Sequence, residues 1–111
     1  MEKQFIDFLG SSRIDRIRCA FETRKGQVAR IVVVQYETLL HGKWTPVVRY
    51  DTAHGFFHRD VYIIGEKGHL KEFVFRATLE KALTYAIHDI RHNWQRYKFA
   101  FLEMDDDKEK I

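Results

Sequence analysis

Between Arg16 and Arg76 the hydrophobic and polar positions mostly alternate. In Arg16 to Arg24, Ile17, Cys19, Phe21 and Thr23 fall on one side and Arg16, Arg18, Ala20 and Glu22 on the other, the period of two expected of a strand. Val28 to Leu40 is rich in β-branched residues and reads as a long strand, with a centre (Ile31 to Val34) apolar on both faces, as in the middle of a sheet. Trp44 to Asp51, His58 to Ile64 and His69 to Arg76 read as three further strands. Pro46 lies near the start of the first of these, where its missing N–H costs least. Turns are expected at Arg24 to Gln27, His41 to Lys43 and Gly65 to Gly68, and such short connections make successive strands antiparallel neighbours. Glu2 to Leu9 fits either a short helix or an extended lead-in, ended by Gly10-Ser11-Ser12.

After Thr78, a good N-cap, the period changes. Leu79, Leu83, Ala86, Ile87, Ile90, Trp94, Tyr97 and Phe101 recur at steps of three and four and form one apolar helical stripe. The pattern predicts an α+β fold: an antiparallel β-meander of about five strands with one long C-terminal amphipathic helix packed on one face.

With 111 residues and a hydrophobic fraction of 45%, the chain is expected to be a single globular domain over residues 1–111. One cysteine, Cys19, allows no internal disulfide and falls at an inward strand position, where it reads as a buried, inert thiol. No apolar run approaches the ~18 residues of a membrane span, and Met1 to Gly10 lacks a basic leader pattern, so a cytoplasmic location without membrane association is expected. The formal net charge is +3. Residues 103–110 hold five acidic residues against Lys108 and Lys110, a net of −3, which leaves +6 on the body. Residues 103–111 read as a flexible acidic tail, and a basic body suits an anionic partner such as nucleic acid.

One stretch is too polar for ordinary strand and loop. Arg49-Tyr50-Asp51-Thr52-Ala53-His54-Gly55-Phe56-Phe57-His58-Arg59-Asp60 holds two His, two Asp and two Arg within twelve residues. The strand period puts Arg49 and Asp51 on one face of the third strand, and His58 and Asp60 on one face of the fourth. In a hairpin the two pairs either face each other or lie one strand face apart, with His54 on the loop between them. Three chemistries fit these residue types. The first is a salt-bridged hairpin in which Arg49 and Arg59 pair with Asp51 and Asp60. The second is metal-free acid–base chemistry on a phosphodiester, with His54 and His58 moving protons, Arg49 neutralising the phosphate charge and Asp51 orienting a histidine. The third is a divalent metal held by Asp51, His54, His58 and Asp60, a mixed nitrogen and oxygen set with no standard spacing. Tyr50, Phe56 and Arg59 are the substrate-binding candidates, Phe56 as a ring on which a base could stack.

The string R-Y-D-T-A-H-G followed by His58-Arg59-Asp60 resembles the signature of a family of short uncharacterised prokaryotic proteins. In that family V-R-Y-D-T-A-H-G-F-x-H-x-D precedes a hairpin and a helix carrying E-A-L-T-x-A and N-W. Here the helix reads Glu80-Lys81-Ala82-Leu83-Thr84-Tyr85-Ala86, with Asn93-Trp94 later, so the likeness spans about residues 32–102. More loosely, Arg49, Tyr50, Asp51, Ala53, His54 and His58 are similar to the R-Y-D-x-A-H core and following His of the TumE-like toxins of toxin–antitoxin pairs. This chain departs from that family in its Gly55-Phe56-Phe57 loop and its long helix. The resemblance implies action on nucleic acid or translation and an antitoxin partner. The leading expectation is a small toxin-like protein acting on RNA, a metal-independent RNase, with self-association also open. The alternative is a non-enzymatic adaptor with a protein partner, in which the polar hairpin is scaffold.

Overall fold

A computed structural model describes residues 1–62, 69–73 and 78–109, with the side chains of His54, 69–73 and 104–109 outside the description. Six strands and one helix follow in chain order: β1 (Glu2–Phe8), β2 (Asp15–Arg24), β3 (Gln27–Leu40), β4 (Lys43–Asp51), a 3-10 turn (Ala53–Gly55), β5 (His58–Tyr62), β6 (His69–Phe73) and α1 (Leu79–Glu109). They form one antiparallel sheet in the order β1-β2-β3-β4-β5-β6. The segment that fitted helix or lead-in is therefore the edge strand β1. The expected Gly65 to Gly68 turn lies outside the described residues.

The turn chemistry matches the hairpins. Lys25 and Gly26 have φ of 53° and 77°, and His41 and Gly42 have φ of 50° and 77°. Two consecutive positive φ values make the type I′ turn, whose twist suits a two-residue hairpin, and glycine adopts the second position without strain.

The helix begins where Thr78 Oγ1 accepts the Lys81 N–H at 3.1 Å. Glu80 in the first turn accepts the Val28 N–H at 2.8 Å, tying the helix start to β3. Its stripe buries Leu83, Ala86, Ile90 and Phe101 against Ile17, Cys19, Val34, Tyr36, Val48 and Tyr50, with Trp94 and Tyr97 half-buried beside them. The helix lies mainly over β3 and then β4. It continues through Glu109. Among the described residues no helix is long and apolar enough to cross a membrane. Cys19 is fully buried, and burial pushes its thiol up to about 11 against a smaller opposing pull from Arg91, so it stays an inert thiol.

The register sorts the other face. Arg16 pairs with Glu37, Arg18 with Gln35, Gln35 with Arg49, Arg49 with Asp60, and Asp51 with His58. All of these residues lie on the face turned away from the helix. The register shifts at Ala20/Phe21, Glu22/Thr23 and Tyr36/Glu37. Rings also lie across this face: Trp44 is 3.9 Å from the Arg16 guanidinium, and Phe56 is 5.2 Å from the His58 ring. The outcome is a sheet face that is polar yet largely buried, with Gln35, Glu37, Asp51, His58 and Asp60 all at 5% exposure or less.

Candidate functional site

Strand alternation divides the Arg49–Asp60 segment between the two faces. Tyr50 and Arg59 are register partners on the helix face. The Tyr50 hydroxyl donates to Asp89 Oδ2 at 2.7 Å, Tyr97 donates to the same oxygen, and Asn93 donates to Oδ1 at 2.8 Å. Arg59 Nη1 donates to the Tyr97 hydroxyl at 2.7 Å and stands 3.9 Å from Asp89. Burial above all, and then the Asp89 carboxylate, push the Tyr50 and Tyr97 hydroxyls far above the usual tyrosine range, so both stay protonated as donors. Tyr50 is fully buried, and the pair expected to bind substrate is engaged here in clamping the helix to the sheet. Arg59 and Asp60, neighbours in β5, point to opposite faces.

Arg49, Asp51, His58 and Asp60 converge on the face turned away from the helix. Arg49 Nε donates to Asp51 Oδ2 at 2.8 Å, the other expected pair of the hairpin. The Ala53 N–H, at the start of the 3-10 turn, donates to Asp51 Oδ1 at 2.9 Å. His58 Nε2 stands 3.1 Å from Asp51 Oδ1 and 3.6 Å from Asp60 Oδ2, while Nδ1 faces the Phe56 carbonyl oxygen at 3.3 Å. A carbonyl only accepts, so this contact is a hydrogen bond in the tautomer with its proton on Nδ1. Nε2 faces the two carboxylates. The three donor atoms lie within 4.8 Å of one another. Tetrahedral donors around a first-row metal with bonds near 2.0–2.1 Å stand about 3.4 Å apart, so the two His58 distances are close to a ready-made set. The carbonyl on Nδ1 is also the usual device that fixes the tautomer of a ligating histidine.

The Phe56-Phe57 pair splits in the same way. Phe57 stacks on Tyr50 at 5.3 Å and 13° and joins the core, while Phe56 is 37% exposed beside His58. His54 sits on the 3-10 turn that follows Asp51 in the chain, and its side chain lies outside the described residues. His88 and His92 on α1 stack their rings at 3.9 Å, with His92 Nδ1 against the His88 carbonyl.

Sequence reasoning missed a second polar group on the same face. Glu37 accepts from Arg16 Nε at 2.7 Å, Arg18 Nε at 3.1 Å and Gln35 Nε2 at 2.5 Å. Its signal was present: Gln35 and Glu37 break an apolar strand at a spacing of two, opposite Arg18 and Arg16. Burial alone would raise the Glu37 carboxyl, but the three donors outweigh it and hold it below the usual glutamate range. A lowered folded value means that its contribution is present above the unfolded value of about 4.3 and is lost as pH falls through the folded value. Glu37→Gln is expected to cost about 1–3 kcal/mol in urea denaturation at pH 7. The deficit should shrink when the comparison is repeated below pH 4. A deficit unchanged by acid would show that Glu37 acts by shape rather than charge.

Compared with known families, the chain matches DUF7718, described as a domain of unknown function, over residues 1–107. Neither the curated proteins nor the solved structures contain a match to it.

Proposed function

The chain belongs to the DUF7718 family, whose description carries no activity, and we propose from the site itself that it is a small toxin-like protein acting on nucleic acid through a divalent metal held by Asp51, His58 and Asp60. The observation that carries this reading is the His58 ring, with Nδ1 on a backbone carbonyl and Nε2 aimed at two carboxylates. Three protein ligands leave a position for water or substrate, the pattern of catalytic rather than structural sites.

Charge supports an anionic substrate. Two carboxylates, a divalent cation and the neighbouring Arg49 sum to +1, so a loaded site would attract a phosphate that the bare carboxylates repel. A cation there would polarise a phosphodiester oxygen and acidify a bound water. Arg49, 32% exposed at its side chain, would neutralise charge on the transferring phosphate, and the exposed Phe56 ring offers a surface for a base. The +6 body and the R-Y-D-x-A-H resemblance favour RNA over other phosphates. A metal-free route using His54 and His58 as proton carriers is less well supported. His58 is held between two carboxylates, the setting of a ligand rather than of a freely exchanging acid or base.

Single-stranded RNA incubated with the purified chain should be cleaved, chelator should abolish cleavage, and Mn²⁺ or Zn²⁺ should restore it. Binding should weaken steeply with salt. Cleavage that survives chelation would return the chemistry to the metal-free route. If RNA is neither bound at low salt nor cleaved, the chain is a binding or adaptor module with a protein partner such as an antitoxin.

A further inference from the structure

We propose that two copies of this chain associate through their β1 strands, antiparallel and centred on Phe5, to give one continuous sheet. The inference is independent of the metal reading, because it rests on the far edge of the sheet.

β1 is the first strand in the sheet order, and six of its seven residues are exposed. The hydrogen bonds at its two ends fix which backbone groups it turns outward. The Met1 amino group donates to the Thr23 carbonyl at 2.8 Å, and the Thr23 N–H donates back to Met1 at 2.9 Å. At the other end the Leu9 N–H donates to Asp15 at 2.8 Å. The register between β1 and β2 runs from Glu2↔Glu22 to Phe8↔Arg16 without a bulge. Odd-numbered residues therefore bond to β2, and Glu2, Gln4, Ile6 and Phe8 direct their N–H and C=O groups away from the sheet.

A second copy must pair even residues with even residues. The register centred on Phe5 does so along the whole strand, with Glu2 opposite Phe8 and Gln4 opposite Ile6 as hydrogen-bonded pairs. The same register places Lys3 opposite Asp7 twice, in the non-hydrogen-bonded positions where side chains approach most closely. Asp7 already receives Arg91 Nη2 on Oδ2 at 2.8 Å, so the partner's lysine completes a Lys–Asp–Arg row on each side. Half-buried Phe5 meets its own copy on the two-fold axis. On the opposite face Ile6 and Phe8, 53% and 49% exposed, gain cover across the junction. Charged side chains on an edge strand ordinarily discourage pairing, but here the strand is complementary to itself. Such an isologous contact closes after two copies.

Sedimentation of the full chain over a concentration series should show a species twice the 13.3 kDa monomer mass. Ile6→Pro removes one outward N–H that β2 does not use, and should give a folded monomer with unchanged circular dichroism. Lys3→Glu sets like charges opposite each other and should raise the dimer dissociation constant about tenfold. A wild-type chain that stays monomeric at the highest concentration overturns the proposal. So does dimerisation that neither substitution weakens. Should Ile6→Pro fail to fold, the solvent-exposed Lys3→Glu change decides alone.

Discussion

Asp89→Ala is expected to destabilise the domain by about 3–5 kcal/mol, the usual cost of removing one partner from a buried charged network. Asp89 is 9% exposed and accepts from Tyr50, Tyr97 and Asn93, with Arg59 close by. Its loss strands a fully buried tyrosine hydroxyl and removes a carboxylate beside Arg59, where helix, β4 and β5 meet. Tyr50→Phe should cost far less, about 1 kcal/mol, because it removes a single hydrogen bond and leaves the ring stacked on Phe57. Urea denaturation of both variants checks the pair. A loss under 1 kcal/mol for Asp89→Ala would mean that apolar packing of Ile90 and Ala86 holds the helix without the clamp.

The second large effect concerns the proposed metal ligands. Asp60→Asn should weaken cation binding at least ~100-fold, because even residues that merely orient a ligand are worth 10–100-fold in affinity. Asp60→Asn leaves the bonds of Asp51 to Arg49 and to the Ala53 N–H in place. The stability of the chelated protein adds a second readout. Two carboxylates gathered around one imidazole repel each other when no cation is present, so Asp60→Asn should leave the chelated domain no less stable than chelated wild type. A marked loss of stability in chelator would instead identify the cluster as an internal ion-pair centre.

Most of the fold could be read from two periods. The period of two from Arg16 onward located β2, β3 and β4 within a residue and the start of β5, because the buried and exposed positions of a strand alternate. The spacing of Leu83, Ala86, Ile90 and Phe101 located the face of α1. β1 was ambiguous for a physical reason: at the sheet edge six of its residues are exposed, so burial imprints no pattern on them. The site was legible as a segment but not as an arrangement. Alternation alone placed Arg49 with Asp51 and His58 with Asp60, yet only the register Arg49↔Asp60 and Asp51↔His58 puts both pairs on one face. Tyr50 and Arg59 stand one position away and so belong to a different structure, whose third member, Asp89, lies 39 residues from Tyr50. No local pattern links residues so far apart. The Glu37 group left a local mark in the polar pair Gln35 and Glu37, but its donors Arg16 and Arg18 come from another strand.

Titration of Mn²⁺ or Zn²⁺ into the chelator-stripped wild-type chain, followed by calorimetry, tests the central claim most directly. The account predicts one cation per chain, a rise in melting temperature on loading, and loss of both responses in Asp60→Asn. Wild-type protein that takes up no cation at millimolar concentration, and melts at the same temperature with and without chelator, would contradict it.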